Sequence, residues 1–138
     1  MILDSKIFNP QAKILIHINK VINFLKGKRT DPITIEIDPS NACNHSCPFC
    51  ISGHIHLKKF KGTKFFDRRI MESGLLLNLV KELCKFDIQS LSFTGGGEPT
   101  LNPELKDAIN YIKKNSNIEI GMFTNGTNFE KFDLFEVI

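Results

Sequence analysis

The stretch ITIEIDPSNACNHSCPFC, Ile33 to Cys50, changes character halfway along. Its first part alternates Ile33, Ile35 and Ile37 with Thr34 and Glu36, the period-2 pattern of a strand that buries one face. Its second part packs Cys43, Cys47 and Cys50 into eight positions. A strand that runs straight into a cluster of thiols puts metal-binding chemistry at a strand's C-terminal end. The fold then turns on what flanks it.

Upstream, Ile14, Ile18, Val21, Ile22 and Leu25 recur at helical spacing and end at Gly27, which predicts a helix from Pro10 to Lys26. Downstream, Ile51 to Asp67 has no clear period and reads as loop. Leu76, Leu79, Val80, Leu83 and Cys84 then share a helical face, which predicts a helix from Arg69 to Phe86. Ile88 to Thr94 reads as a second strand, ending in Gly95-Gly96-Gly97. Asn102 as N-cap, Pro103 behind it and Leu105, Ala108, Ile109 and Ile112 on one face signal a further helix, closed by Lys113 and Lys114. Ile118 to Phe123 alternates as a third strand, turned by Asn125-Gly126, and Phe129 to Ile138 begins another helix. Strand and helix thus alternate three times after a leading helix. That order calls for parallel strands joined by right-handed crossovers.

Length and composition set the frame for this α/β reading. With 138 residues, 41% apolar and 24% charged, the chain is expected to fold around one core. A net charge of +3 is too small to signal a nucleic-acid groove or an anionic membrane. The apolar run Ala12 to Leu25 is broken by Lys13, His17, Asn19, Lys20 and Asn23, so no membrane segment is expected. Met1 to Pro10 lacks the pattern of a secretory signal, which makes the cytoplasm the expected location.

Three close thiols admit two readings. Thiolates hold iron-sulfur clusters, and a four-iron cubane with three cysteines keeps one iron open for a substrate or cofactor. Alternatively, the chain could be a non-catalytic metal-binding module, either with His45 or His54 completing a Cys3His zinc site or with an iron-sulfur cluster serving electron transfer. Gly95 to Gly97 could likewise be a tight turn or a phosphate cradle, although the lysine of a phosphate loop is absent. Cys84, among leucines, reads as a small core residue. His17 reads as a surface residue, and His54 and His56 as loop residues. Lys58, Lys59, Lys61, Lys64, Arg68 and Arg69 form a basic run that reads as a solvated loop, or as a lid next to the cluster.

The C-x3-C-x2-C triplet with Phe49 before its last cysteine resembles the radical S-adenosylmethionine (radical SAM) superfamily. Two further stretches carry the resemblance, Thr94-Gly95-Gly96-Gly97-Glu98-Pro99 after the second strand and Thr124-Asn125-Gly126-Thr127 after the third. It covers residues 32 to 128. The resemblance implies that Cys43, Cys47 and Cys50 hold a 4Fe-4S cluster whose open iron takes the amino and carboxylate groups of S-adenosylmethionine. Phe49 would lie near the adenine, Gly96, Gly97 and Glu98 would receive the methionine ammonium, and Thr124 and Asn125 would also contact the cofactor. The implied reaction is reductive cleavage to a 5′-deoxyadenosyl radical that abstracts hydrogen from an unknown substrate, with electrons from a donor such as flavodoxin or ferredoxin.

The implied fold is the N-terminal half of a partial (β/α)6 radical SAM barrel. Residues 32–138 would form a truncated core of three βα units, and residues 1–31 a helical extension. Three units of this length make half of a six-unit barrel, so the third strand is expected at a bare edge that favours self-association, and an inactive fragment is the remaining alternative. If the isoleucines face the helices, the opposite faces carry Thr34, Glu36, Ser90, Ser92, Glu119 and Phe123, a polar set suited to a hydrated cavity.

Overall fold

The chain is described by a computed structural model covering residues 15–52 and 68–130. The alternating isoleucines form β1 (Thr34–Ile37), followed by β2 (Ser90–Phe93) and β3 (Glu119–Met122) in one open sheet of order β1-β2-β3. Both pairs are parallel, and the register aligns Ile35 with Leu91 and Ile120, then Ile37 with Phe93 and Met122. Parallel pairing needs a crossover between strands, and the helices supply it. They are α2 (Leu75–Leu83) between β1 and β2 and α3 (Leu105–Asn115) between β2 and β3, with α1 (Ile18–Leu25) ahead of the sheet.

One face of the sheet and the apolar sides of α2 and α3 make the core. Leu76 and Val80 of α2 and Leu105, Ala108, Ile109 and Ile112 of α3 pack with Ile37, Leu91 and Phe93, all buried. Cys84 lies half-buried against this cluster, as its leucine-rich surroundings predict. The opposite face follows the other parity. Thr34, Ser90 and Glu119 share one rung, and Glu36, Ser92 and Gly121 the next. The hydroxyls of Thr34 and Ser90 hydrogen-bond across it at 2.7 Å.

Two helices differ from their sequence-predicted bounds. The apolar period suggests a helix from Arg69 to Phe86, yet α2 spans Leu75–Leu83. Residues 69–71 are used otherwise: the Asn41 N–H donates to the Arg69 carbonyl and the Met71 N–H to the Pro39 carbonyl, both at 2.9 Å. A short antiparallel bridge of Ser40 with Ile70 thus straps the root of the cysteine loop. Gly74 then turns the chain into α2 at φ 80°, a conformation that costs glycine least. At the other helix, Asn102 Oδ1 accepts the Glu104 N–H at 2.9 Å, the expected cap, while regular helix begins at Leu105.

The described part of the leading helix is Ile18–Leu25, and residues 10–14 of that prediction lie outside the described residues. Lys20 ties α1 to the start of the sheet, reaching the Asp87 carboxylate at 3.0 Å and the Asp31 carbonyl at 3.4 Å. No residue of α1 is buried, and Phe24 and Leu25 are largely exposed. Most of the predicted Ile51–Asp67 loop, including His54 and His56, lies outside the described residues, as does the predicted last helix beyond Glu130. Among the described residues no helix is long and apolar enough to cross a membrane.

Candidate metal centre

The three strands end side by side, and the loops that leave them meet over one cavity of about 810 Å³. Cys43, Cys47 and Cys50 line it, together with Phe49, Gly96, Gly97, Glu98, Thr124 and Asn125. Every residue that the resemblance assigns to the site therefore borders the same space, and so does His45, while His54 lies outside the described residues. All three cysteines are free and half-buried, and Phe49 is 86% exposed.

Glycine decides how closely the first two loops approach. The Gly97 N–H donates to the Ser40 carbonyl at 3.1 Å and the Glu98 N–H to the Ala42 carbonyl at 2.8 Å, backbone against backbone. A Cβ on Gly97 would fall 2.0 Å from the Ala42 oxygen, so only glycine fits there. At Gly96 a Cβ would meet nothing nearer than 3.6 Å. Gly97 thus seats the cysteine loop, whereas Gly96 borders the cavity, where a Cβ would make only ordinary contacts with Asn41 and Ser52.

Glu98 joins the second loop to the third. It is 2% exposed, and its Oε1 accepts from the Thr100 hydroxyl at 2.6 Å, the Thr124 hydroxyl at 2.6 Å and the Thr100 N–H at 3.1 Å. Its Oε2 accepts the Asn125 N–H at 2.8 Å. Burial pushes this carboxyl up, but the donors on Asn125, Thr100 and Thr124 outweigh it and hold the group below the ordinary glutamate value. The resemblance gives Glu98 to the methionine ammonium; within the chain both of its oxygens already accept hydrogen bonds.

The third loop reaches back to the first. Asn125 Nδ2 donates to Asn44 Oδ1 at 2.8 Å and approaches Cys43 Sγ at 3.9 Å, and the Thr127 hydroxyl meets His45 Nε2 at 2.8 Å. Asn128 Nδ2 donates to the Thr100 hydroxyl at 3.1 Å. The sequence reading picked out Thr124 and Asn125 but not Asn44, Thr100 or Asn128. Their signal is three-dimensional: each is a short polar residue beside a motif, with its partner on a different loop. Thr94, just past β2, donates to Asp38, just past β1, at 2.6 Å.

The donor set suits an iron-sulfur cluster. Three soft thiols on one loop border a cavity of the size that holds small molecules. Among the described residues, no three His, Cys, Asp or Glu side chains converge closely enough to hold a single metal ion.

Comparison with known proteins identifies a family. Residues 37–137 match the Radical SAM superfamily. A probable GTP 3′,8-cyclase of Saccharolobus islandicus is 32% identical over 92 residues, which cover 67% of this chain and 27% of that protein. A probable GTP 3′,8-cyclase of Methanococcus maripaludis is 26% identical over 77% of this chain and 32% of its own length. A protein of Brachyspira hyodysenteriae named GTPase Obg is 28% identical over 134 residues, 88% of this chain and 19% of that protein. The chain thus spans between about a fifth and a third of these relatives. A family match over most of the chain, containing all three cysteines and both of the later motifs, makes this chain a member of the Radical SAM superfamily.

Proposed function

We propose that this chain is the part of a radical SAM enzyme that holds a 4Fe-4S cluster on Cys43, Cys47 and Cys50 and seats S-adenosylmethionine between that cluster and the Gly96 turn. The observation that carries the reading is the shared cavity: the three thiols, Phe49, Gly96 and the Thr124-Asn125 turn border one space at the ends of three parallel strands. Bound there and given one electron by an external electron donor, cluster and cofactor together would supply radical chemistry, reductive cleavage of the cofactor followed by hydrogen abstraction from a substrate.

The chain's own residues bind and orient. The three thiols would hold iron as thiolates, three protein ligands for a four-iron cluster. The N–H groups of Gly97 and Glu98 already donate to Ser40 and Ala42, so what the turn offers an ammonium is carbonyl oxygen. Gly96 lines the cavity from which that approach would be made. Phe49, exposed beside the last cysteine, presents an aromatic surface on which adenine can stack. Glu36, Asp38 and Thr94 border the cavity as well, so substrate groups that reach this wall are hydrogen-bonding ones.

The test is anaerobic loading with iron and sulfide. About four irons per chain are expected, lost in Cys47→Ala and kept in Cys84→Ala, and S-adenosylmethionine should change the EPR signal of the reduced protein. Iron retained by Cys47→Ala, or a signal indifferent to saturating S-adenosylmethionine, defeats the reading.

A further inference from the structure

Among the described residues, the three cysteine sulfurs are not equivalent. Cys43 Sγ has two N–H donors near it, the His45 backbone at 3.4 Å and Asn125 Nδ2 at 3.9 Å, and no such donor reaches Cys47 or Cys50. The first donor is local to the cysteine loop. The second comes from 82 positions along the chain, on the turn after β3.

The orientation of the Asn125 amide is fixed by its other end. Its Oδ1 accepts the Thr127 N–H at 3.0 Å, so the NH2 group must face Cys43 and Asn44, where Asn44 Oδ1 accepts at 2.8 Å. Its backbone is fixed as well. Glu98 Oε2 accepts the Asn125 N–H at 2.8 Å, Glu98 Oε1 holds the preceding Thr124 hydroxyl, and Gly126 closes the turn at φ 78°. A buried carboxylate therefore clamps a turn whose next contact is a cysteine of the candidate cluster.

We infer that Asn125 tunes the cluster by donating a hydrogen bond to the Cys43 thiolate, with Glu98 as the positioning residue that holds it there. The inference rests on the proposed function. A thiolate bound to iron carries negative charge, and reduction adds one electron to the cluster. An N–H donor on that sulfur stabilises the more negative, reduced form, which raises the reduction potential. The third loop would thus set how readily an electron donor reduces the metal on the first. It does so without touching iron.

Potentiometric titration of the iron-loaded full chain, followed by EPR, tests this. Asn125→Ala should keep its iron and sulfide while the reduction equilibrium falls about tenfold, a shift of about 59 mV to lower potential for a one-electron couple. Asn125→Asp keeps the shape and the acceptor for Thr127 but exchanges the donor for a negative charge, so its shift should be larger in the same direction. Thr127→Val removes the contact with His45 and should leave the potential where it is. Equal iron content with an unmoved potential in both Asn125 variants overturns the inference and leaves the proposed function standing. If Asn125→Ala loses iron, Asn125→Asp decides: iron retained at the wild-type potential means that Asn125 only holds the loops together, and overturns the inference. A wild-type chain that assembles no four-iron cluster overturns the proposed function and this inference with it.

Discussion

Glu98 accepts four hydrogen bonds from three residues while almost fully withdrawn from water. Exchanging its carboxylate for an amide puts an NH2 group where only donors point, so Glu98→Gln should destabilise the fold by about 1–3 kcal/mol, read from urea unfolding at neutral pH. The pH dependence has a definite sign. The folded carboxyl titrates below the ordinary glutamate value, so its contribution is complete above that value and is lost as pH falls through the lower, folded one. The difference between wild type and Glu98→Gln should therefore shrink on acidification; a constant or growing difference would show that charge is not what the four donors stabilise. The sequence announced Glu98 through the Gly-Gly-Glu-Pro stretch, but its partners are Thr124 and Asn125, more than 25 positions away. No local pattern encodes that pairing. The glycines divide in the same way: a run of three is visible in the sequence, while the distinction between Gly97, blocked by Ala42, and Gly96, where a Cβ would make only ordinary contacts, depends on another loop.

At the scale of the element, α2 begins where a neighbouring element lets it. Its first turn lacks a side-chain cap of its own, and Glu104, just ahead of α3, reaches across to accept from the Gly74 N–H and from the Ser73 hydroxyl at 3.0 Å. The Gly74 N–H lowers the Glu104 carboxyl most, burial opposes this, and Ser73 and the Leu77 N–H add to the lowering. A negative group at a helix N-terminus also complements the helix dipole. Glu104→Ala should lower the urea midpoint, with faster hydrogen exchange at Gly74 and Leu77, and the effect should fade as pH falls below the ordinary glutamate range, because the stabilising charge is present only above the folded value. Unchanged exchange at those two amides would remove Glu104 from this role. Strand periodicity gave β1, β2 and β3 to within two residues at either end, since alternation is a local signal with one dominant cause. Apolar spacing overran the start of α2 by six residues, because Arg69 to Met71 pair with Pro39 to Asn41 instead. Gly74 was the local signal that could have placed that boundary.

At the scale of the whole molecule, the outer side of β3 is an open strand edge among the described residues. Among the described residues the sheet has three strands, with β3 at one edge. The Glu119 and Phe123 N–H groups donate to the Gln89 and Phe93 carbonyls of the β2 side, both at 2.9 Å. Alternation along a strand then turns the N–H groups of Ile120 and Met122 the other way, toward the open edge. Unpaired edge groups are a template for another strand, and neither charge nor proline blocks these two positions. The exposed Phe123 lies just beyond. We expect the polypeptide of these 138 residues, studied alone, to associate through this edge, and light scattering after size exclusion should report a mass that rises with concentration. Hydrogen exchange identifies the surface, because the Ile120 and Met122 amides should be protected in the associated form and exchange faster on dilution, while Gly121, inside the β2–β3 ladder, stays protected throughout. A mass of about 15.7 kDa at every concentration, with Ile120 and Met122 exchanging freely, would mean that the β3 edge attracts no second strand.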